Sequence, residues 1–151
     1  MNVKEMNSCQ IDRILTALPQ KYPFMFVDNV IKLKTGVYVH TQKAVSYNEW
    51  YFQGHFPGEP ILPGNIIVEI MAQSTGLLLL DDQVDRASKE LRPGQLVHCN
   101  IKFLQEVRPG VLLDIEARTK VFSDQCISAH VIVSVARSKI AAGDIAIAFK
   151  I

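Results

Sequence analysis

Apolar positions along this chain change their period several times, and each change marks an element. Ile11, Ile14, Leu15 and Leu18 fall at helical spacing ahead of Pro19, which predicts a short amphipathic helix that caps the fold. Strand formers dominate from Phe24 to Lys34. Thr35-Gly36 then supplies a turn, and Val37, Val39, Thr41 and Val45 continue with period two, so a hairpin is expected. Ser46 to Pro63 is broken by Gly54, Pro57, Gly58, Pro60 and Pro63 and reads as a long ordered loop. From Gly64 to about Asp81 the chain is apolar around nearly its whole circumference, the signature of a helix buried at the centre of a domain. The exception is one polar stripe, Asn65, Glu69 and Gln73, recurring every four residues. A charged connection, Asp81 to Pro93, leads to strands over Gln95–Val107, Val111–Phe122, Ile127–Arg137 and Ile145–Ile151. Arg108-Pro109-Gly110 and Ala142-Gly143-Asp144 are read as reversals. In the second of these strands Leu113, Ile115, Ala117, Thr119 and Val121 alternate with Asp114, Glu116, Arg118 and Lys120, which gives one face to the core and the other to water. This order predicts an α+β domain in which a strongly curved antiparallel sheet of five or six strands wraps around one long helix. The domain is expected to span residues 1–151, with 1–7 loosely held.

Composition narrows the function. Sixteen lysines and arginines against fifteen aspartates and glutamates leave a formal charge of +1, without the basic excess that a phosphate backbone demands, so nucleic acid is not an expected partner. Forty-eight per cent hydrophobic content exceeds what a domain of 151 residues needs for its own interior, and part of it is expected to be buried between subunits. Cys9, Cys99 and Cys126 are odd in number and widely spaced, so neither a disulfide framework nor a zinc site is expected, and a reducing cytoplasm fits best. Met1 to Gln10 is polar, and the longest apolar stretch, Ile66 to Leu80, is interrupted by Glu69, Gln73, Ser74 and Thr75, so the expectation is neither signal peptide nor membrane span.

Two protonatable side chains stand in unusual settings. His55 lies in Phe52-Gln53-Gly54-His55-Phe56-Pro57-Gly58, a loop framed by aromatic, glycine and proline residues. Glu69 lies in a helix with almost no other charge, where an unpaired carboxylate is costly to bury. Histidine titrates near neutrality and suits a general base, whereas a carboxyl group in apolar surroundings stays protonated and suits a general acid. Gly64, at the start of the buried helix, offers an N–H that no side chain obstructs, backed by the positive end of the helix dipole, a place for a carbonyl oxygen. Each residue also has a plainer use: His55 as a loop-bracing residue, Glu69 in a buried ion pair, Gln73 bonded to a backbone carbonyl. None of these explains the whole stripe. His40, His98 and His130 occupy predicted strands at no ligand-like spacing and are assigned structural roles, and no metal is expected. Tyr22, Phe24, Phe26, Trp50, Tyr51, Phe52 and Phe56 either fill core or line a channel, and Arg86, Lys89 and Arg92 are read first as a solvated face.

Leu18-Pro19-Gln20-Lys21-Tyr22-Pro23-Phe24-Met25-Phe26-Val27-Asp28 and Asn48 to Gln73, with Gln53-Gly54-His55-Phe56-Pro57 and Pro63-Gly64 inside it, resemble the 3-hydroxyacyl-acyl carrier protein dehydratases of type II fatty acid synthesis. The resemblance extends more weakly through the remaining strands. It implies the hotdog fold and the cofactor-free removal of water from a (3R)-hydroxyacyl chain held on the phosphopantetheine of an acyl carrier protein, giving a trans-2-enoyl thioester. It also implies that His55 and Glu69 form the catalytic pair, Gly64 binds the thioester carbonyl and Gln73 orients the carboxylate, with Phe56, Ile61 and Asn65 beside the acyl thioester substrate. A homodimer is implied whose active sites take His55 from one chain and Glu69 from the other, with dimers joining further as a trimer of dimers. Glutamate at position 69 is similar to the branch of the family that dehydrates without isomerising. The family's basic stretch before its Pro-Gly turn is replaced here by Phe103-Leu104-Gln105-Glu106-Val107-Arg108. Two other functions compete: a hotdog acyl thioesterase in which Glu69 activates water, and a non-catalytic carrier-binding subunit of a biosynthetic complex.

Overall fold

A computed structural model describes residue 12 and residues 15–80 and 91–149. Its strands are β1 (Asn29–Lys34), β2 (Tyr38–Val45), β3 (Gly94–Phe103), β4 (Val111–Phe122), β5 (Cys126–Val135) and β6 (Ser138–Phe149). They form one antiparallel sheet in the order β1-β2-β4-β5-β6-β3. Helix α1 (Gly64–Gly76), continued by a 3-10 turn over Leu77–Leu79, packs against β2, β3, β4, β5 and β6. The sheet therefore wraps the helix in the expected hotdog arrangement. Ile66, Ile67, Ile70 and Met71 on α1 meet Leu113, Ile115, Ala117, Ile127, Ala129, Val131 and Ile145 of the sheet, all buried.

The alternation along β4 holds where the strand faces the helix, with Leu113, Ile115 and Ala117 fully buried. It fails at Val121, which is exposed, because the register against β5 shifts between Thr119 and Val121 and turns the strand end away from the core. β2 contains a residue that hydrophobic pattern could not place. Lys43 points inward, and its ammonium is met by Asp28 Oδ2 at 3.1 Å and Glu49 Oε1 at 2.6 Å, so the buried charge is doubly paired.

Several boundaries differ from the sequence-based expectation, among them the end of β3, which stops at Phe103 and not at Val107. The α-helix ends at Gly76, short of Asp81. The expected loop Ser46–Pro63 contains a 3-10 turn over Trp50–Gln53. Residues 24–28 form no strand, since a side chain of α1 takes the backbone groups of Phe24 and Phe26. The last reversal falls at Ala136-Arg137, both with positive φ (47° and 71°), and not at Ala142-Gly143-Asp144. Two consecutive residues of positive φ make the tight turn whose twist matches a hairpin, a geometry reached here without glycine. Gly143 lies inside β6 instead, where a Cβ would stand 2.0 Å from the carbonyl oxygen of Asn100 on β3. It marks a close approach of two backbones.

Of the expected N-terminal helix, Leu15, Thr16 and Ala17 are helical and Ala17 and Leu18 are buried, while Ile11 and Ile14 lie outside the described residues. Arg86 and Lys89 lie outside them as well.

Candidate active site

The loop that carries His55 is closed on itself by backbone hydrogen bonds. The His55 N–H donates to Tyr51 O at 3.1 Å, the Ile61 N–H to His55 O at 3.0 Å, and Phe56 and Glu59 exchange two bonds of 2.9 Å. The peptide bond between His55 and Phe56 is cis, and their rings stack with centroids 4.1 Å apart. His55 Nδ1 lies 2.8 Å from the carbonyl oxygen of Ile61. A carbonyl only accepts, so Nδ1 carries the hydrogen, and in the neutral ring the lone pair sits on Nε2. That is the form in which histidine takes a proton.

Pro63 precedes Gly64 in extended conformation, its carbonyl oxygen accepts the N–H groups of Ile66 at 3.0 Å and Ile67 at 3.1 Å, and the Gly64 N–H lies ahead of this first bonded turn. A Cβ at residue 64 would lie 3.3 Å from Cζ of Phe103, so the glycine keeps the approach to its own N–H open beneath that ring. Further along, Gln73 Nε2 donates to Glu69 Oε1 at 2.8 Å and to Phe24 O at 2.8 Å, while Gln73 Oε1 accepts the N–H of Phe26 at 2.8 Å. One amide thus fixes the carboxyl group and anchors the segment that leads into β1. Burial drives the Glu69 pKa above the ordinary carboxylate value, and the hydrogen bond from Gln73 opposes part of that rise. Glu69 therefore holds a proton more tightly than a solvent-exposed carboxyl group does.

His55 and Glu69 do not meet within one chain. His55 lines an open cavity of about 370 Å³ together with Ile61, Gly64, Ile67, Phe103 and Val107. Glu69 lines a narrower one of about 60 Å³ with Gln20, Gln73, Gly76, Arg92, Gly94 and Leu96 among its walls. The helix explains the separation, because five residues turn the side chains by roughly 140° around the axis between Gly64 and Glu69. Of the remaining expected residues, Ile61 joins His55, Gln73 joins Glu69, and Phe56 is half exposed against the His55 ring. Asn65 is exposed, lines neither cavity, and its Oδ1 accepts the N–H of Ile66.

Sequence reasoning overlooked the brace around the His55 loop. Arg108 donates to Glu59 at 2.7 Å and to Glu106 at 2.9 Å, and the Leu62 N–H donates to Val107 O at 2.8 Å, tying the loop to the segment after β3. Glu106 is a near neighbour of Arg108 in the chain, but Glu59 lies 49 residues away and no spacing pattern joins it to them. Among the described residues no cluster of histidine, cysteine, aspartate and glutamate is arranged to hold a metal ion. No described helix is long and apolar enough to cross a membrane.

Comparison with known proteins gives a consistent result. The family model of the FabA-like domain matches residues 18–148. The 3-hydroxyacyl-[acyl-carrier-protein] dehydratase FabZ of Proteus mirabilis is 39% identical over 120 residues, covering 76% of this chain and 77% of that protein. The protein of the same name from Klebsiella pneumoniae is 41% identical over 110 residues, 70% of each chain. Among solved structures, the dehydratase heterocomplex ApeI:P from Xenorhabdus doucetiae superposes with a TM-score of 0.77 at 21% identity, over 93% of this chain and 90% of that one, a likeness of fold.

Proposed function

The chain belongs to the FabA-like family, and we propose that it removes water from (3R)-hydroxyacyl chains carried on an acyl carrier protein, giving trans-2-enoyl thioesters; its FabZ relatives are named as 3-hydroxyacyl-[acyl-carrier-protein] dehydratases. The observation that carries this reading is the pairing of opposite proton states: a histidine whose Nε2 is left to accept a proton and a carboxyl group whose burial favours holding one. His55 Nε2 takes the proton from Cα, Glu69 delivers one to the 3-hydroxyl group as the Cβ–O bond breaks, and the Gly64 N–H holds the thioester oxygen as charge gathers on it. No step in this scheme calls for a cofactor beyond the phosphopantetheine arm of the carrier.

The two cavities supply the reason for a homodimer. β3 is the last strand of the sheet, bonded on one side to β6, and it exposes Leu96, Val97 and Phe103. Its Phe103 end borders the His55 cavity and its Gly94–Leu96 end borders the Glu69 cavity. Two copies joined edge to edge in antiparallel fashion set the Phe103 end of one beside the Gly94 end of the other. His55 of one copy then faces Glu69 of the second, and both apolar edges are covered. Thioesterase and carrier-binding alternatives leave the arrangement of His55 without a use.

Mass spectrometry of carrier-bound 3-hydroxyacyl substrates of several lengths tests the reaction. His55→Ala and Glu69→Gln are each expected to lower turnover by ~10²–10⁴. Wild-type-like turnover in either variant, shown to be folded, would remove the pair from the mechanism.

A further inference from the structure

We infer that Gly76 determines how long an acyl tail the Glu69 cavity accepts: the tail runs from Glu69 along α1 past Ala72, and the missing side chain at residue 76 leaves it room. This rests on the dehydratase reading. Most of the eight glycines have a reason in conformation or packing. Gly36, Gly58 and Gly110 have positive φ, and a Cβ at Gly64, Gly94 or Gly143 would stand 3.3, 2.4 and 2.0 Å from neighbouring atoms. Gly54 and Gly76 have neither reason, and of these two only Gly76 lines one of the two cavities. Its backbone is helical, with φ −58° and ψ −32°, a conformation open to any residue. A Cβ there would meet nothing within 4 Å. Glycine is the poorest helix former after proline, so the helix is weakened at a position where neither backbone nor packing requires it. What the glycine supplies is the space.

Residue 76 shares a face of α1 with Glu69 and Ala72, since seven residues make nearly two full turns, and all three line the same cavity. The remaining walls are mainly apolar, with Leu18, Leu79, Leu91, Leu96, Ile147 and Phe149 among them. A carboxyl group at one end and apolar walls beyond it match a hydroxyl group followed by an alkyl tail. From Glu69 to Gly76 the helix rises about 10 Å, roughly the reach of a 3-hydroxydecanoyl tail beyond the substrate's Cβ. A single chain encloses only about 60 Å³ of this path. Gly76, Leu79 and Leu91 are left partly exposed, and Leu96 stands on the edge strand that the proposed second copy covers. A tail laid along α1 covers the rest of that apolar wall. Side chains on a helix lean towards its N-terminus, so a larger residue at 76 reaches back over Ala72 into the path of the tail.

The test uses the full chain and two variants, Gly76→Ala and Gly76→Val, with 3-hydroxybutyryl and 3-hydroxydecanoyl thioesters on the same carrier. The readout is the ratio of kcat/KM for the long chain to kcat/KM for the short one, which reports on the tail and cancels the chemistry that both substrates share. Gly76→Val is expected to lower this ratio about tenfold or more, the scale on which an apolar pocket separates substrates by a methylene group, and Gly76→Ala to lower it about threefold. The melting temperature of Gly76→Ala is expected to be no lower than that of the wild type, because the added Cβ meets open space and alanine favours the helix. An unchanged ratio in folded Gly76→Val overturns the inference, as does loss of fold in Gly76→Ala, which would mean that the space beside residue 76 is filled. If Gly76→Val does not fold, the ratio in Gly76→Ala decides, and no change in it overturns the inference. A wild type that converts the short chain and not the long one removes the inference alone, whereas a wild type that converts neither removes the dehydratase reading with it.

Discussion

Glu69 is a residue on which stability and chemistry pull in opposite directions. Its pKa is raised in the folded protein by burial, so the native state holds the proton more tightly than the unfolded chain does. Any stability from this group is complete below the unfolded pKa of about 4.3 and is lost as pH rises through the folded value. Glu69→Gln removes that loss, and Gln73 can still donate to the new amide oxygen. The variant is therefore expected to gain stability over wild type at neutral pH and to show a smaller gain near pH 4. Urea unfolding at both pH values measures it, and a gain that does not change with pH would mean that the folded protein does not shift this carboxyl group. Gly64 poses the converse case. A Cβ there meets only the tip of the Phe103 ring at 3.3 Å, and alanine favours a helix by ~1 kcal/mol over glycine. Gly64→Ala is expected to change stability by less than ~1 kcal/mol while lowering kcat/KM by about 10²–10³ through the obstructed N–H. Unchanged kinetics in the folded variant would mean that no carbonyl approaches residue 64.

At the scale of elements, β3 and β6 depend on one small residue. Gly143 lets the two backbones close to a distance at which a Cβ would overlap the Asn100 carbonyl. Gly143→Ala must push β3 outward or bend it, and overpacking of this kind costs on the order of 1–3 kcal/mol. A lowered denaturation midpoint is expected, together with reduced turnover, since β3 borders both cavities. A midpoint equal to that of the wild type would show that the strand pair absorbs the methyl group. The 55–61 loop is a second such unit, fixed to the segment after β3 by Arg108 and Glu59 at its surface and by Leu62 and Val107 beneath.

For the whole molecule, His55 and Glu69 line separate cavities, and the proposed dimer would make activity a property of the assembly. His55→Ala and Glu69→Gln proteins, each inactive, are expected to regain activity when mixed under conditions of subunit exchange. A heterodimer contains one site with both residues intact, so recovery approaches about a quarter of wild-type activity for random pairing of equal amounts. No recovery despite exchange demonstrated by native mass spectrometry would argue for sites complete within one chain.

Period and composition alone set the type and order of the elements from β1 to β5, because each buries one face and the alternation of Val39, Thr41 and Val45 or of Leu113, Ile115 and Ala117 records that burial directly. The same holds for the site candidates: a carboxyl group in an apolar helix and a histidine in a glycine-proline loop are visible anomalies of local composition. Tertiary structure decided what local pattern does not encode. It put Lys43 inside by bringing Asp28 and Glu49 to it, and it delayed the start of β1 to Asn29 by giving backbone groups of Phe24 and Phe26 to Gln73. It also moved the last reversal to Ala136-Arg137, where hairpin pairing of β5 with β6 enforces positive φ on residues that do not favour it. Gln20 Oε1, a buried oxygen without a hydrogen-bond partner in the folded chain, belongs to the same class. Whether a polar atom finds a partner depends on residues distant in sequence, and only the folded chain brings those within reach.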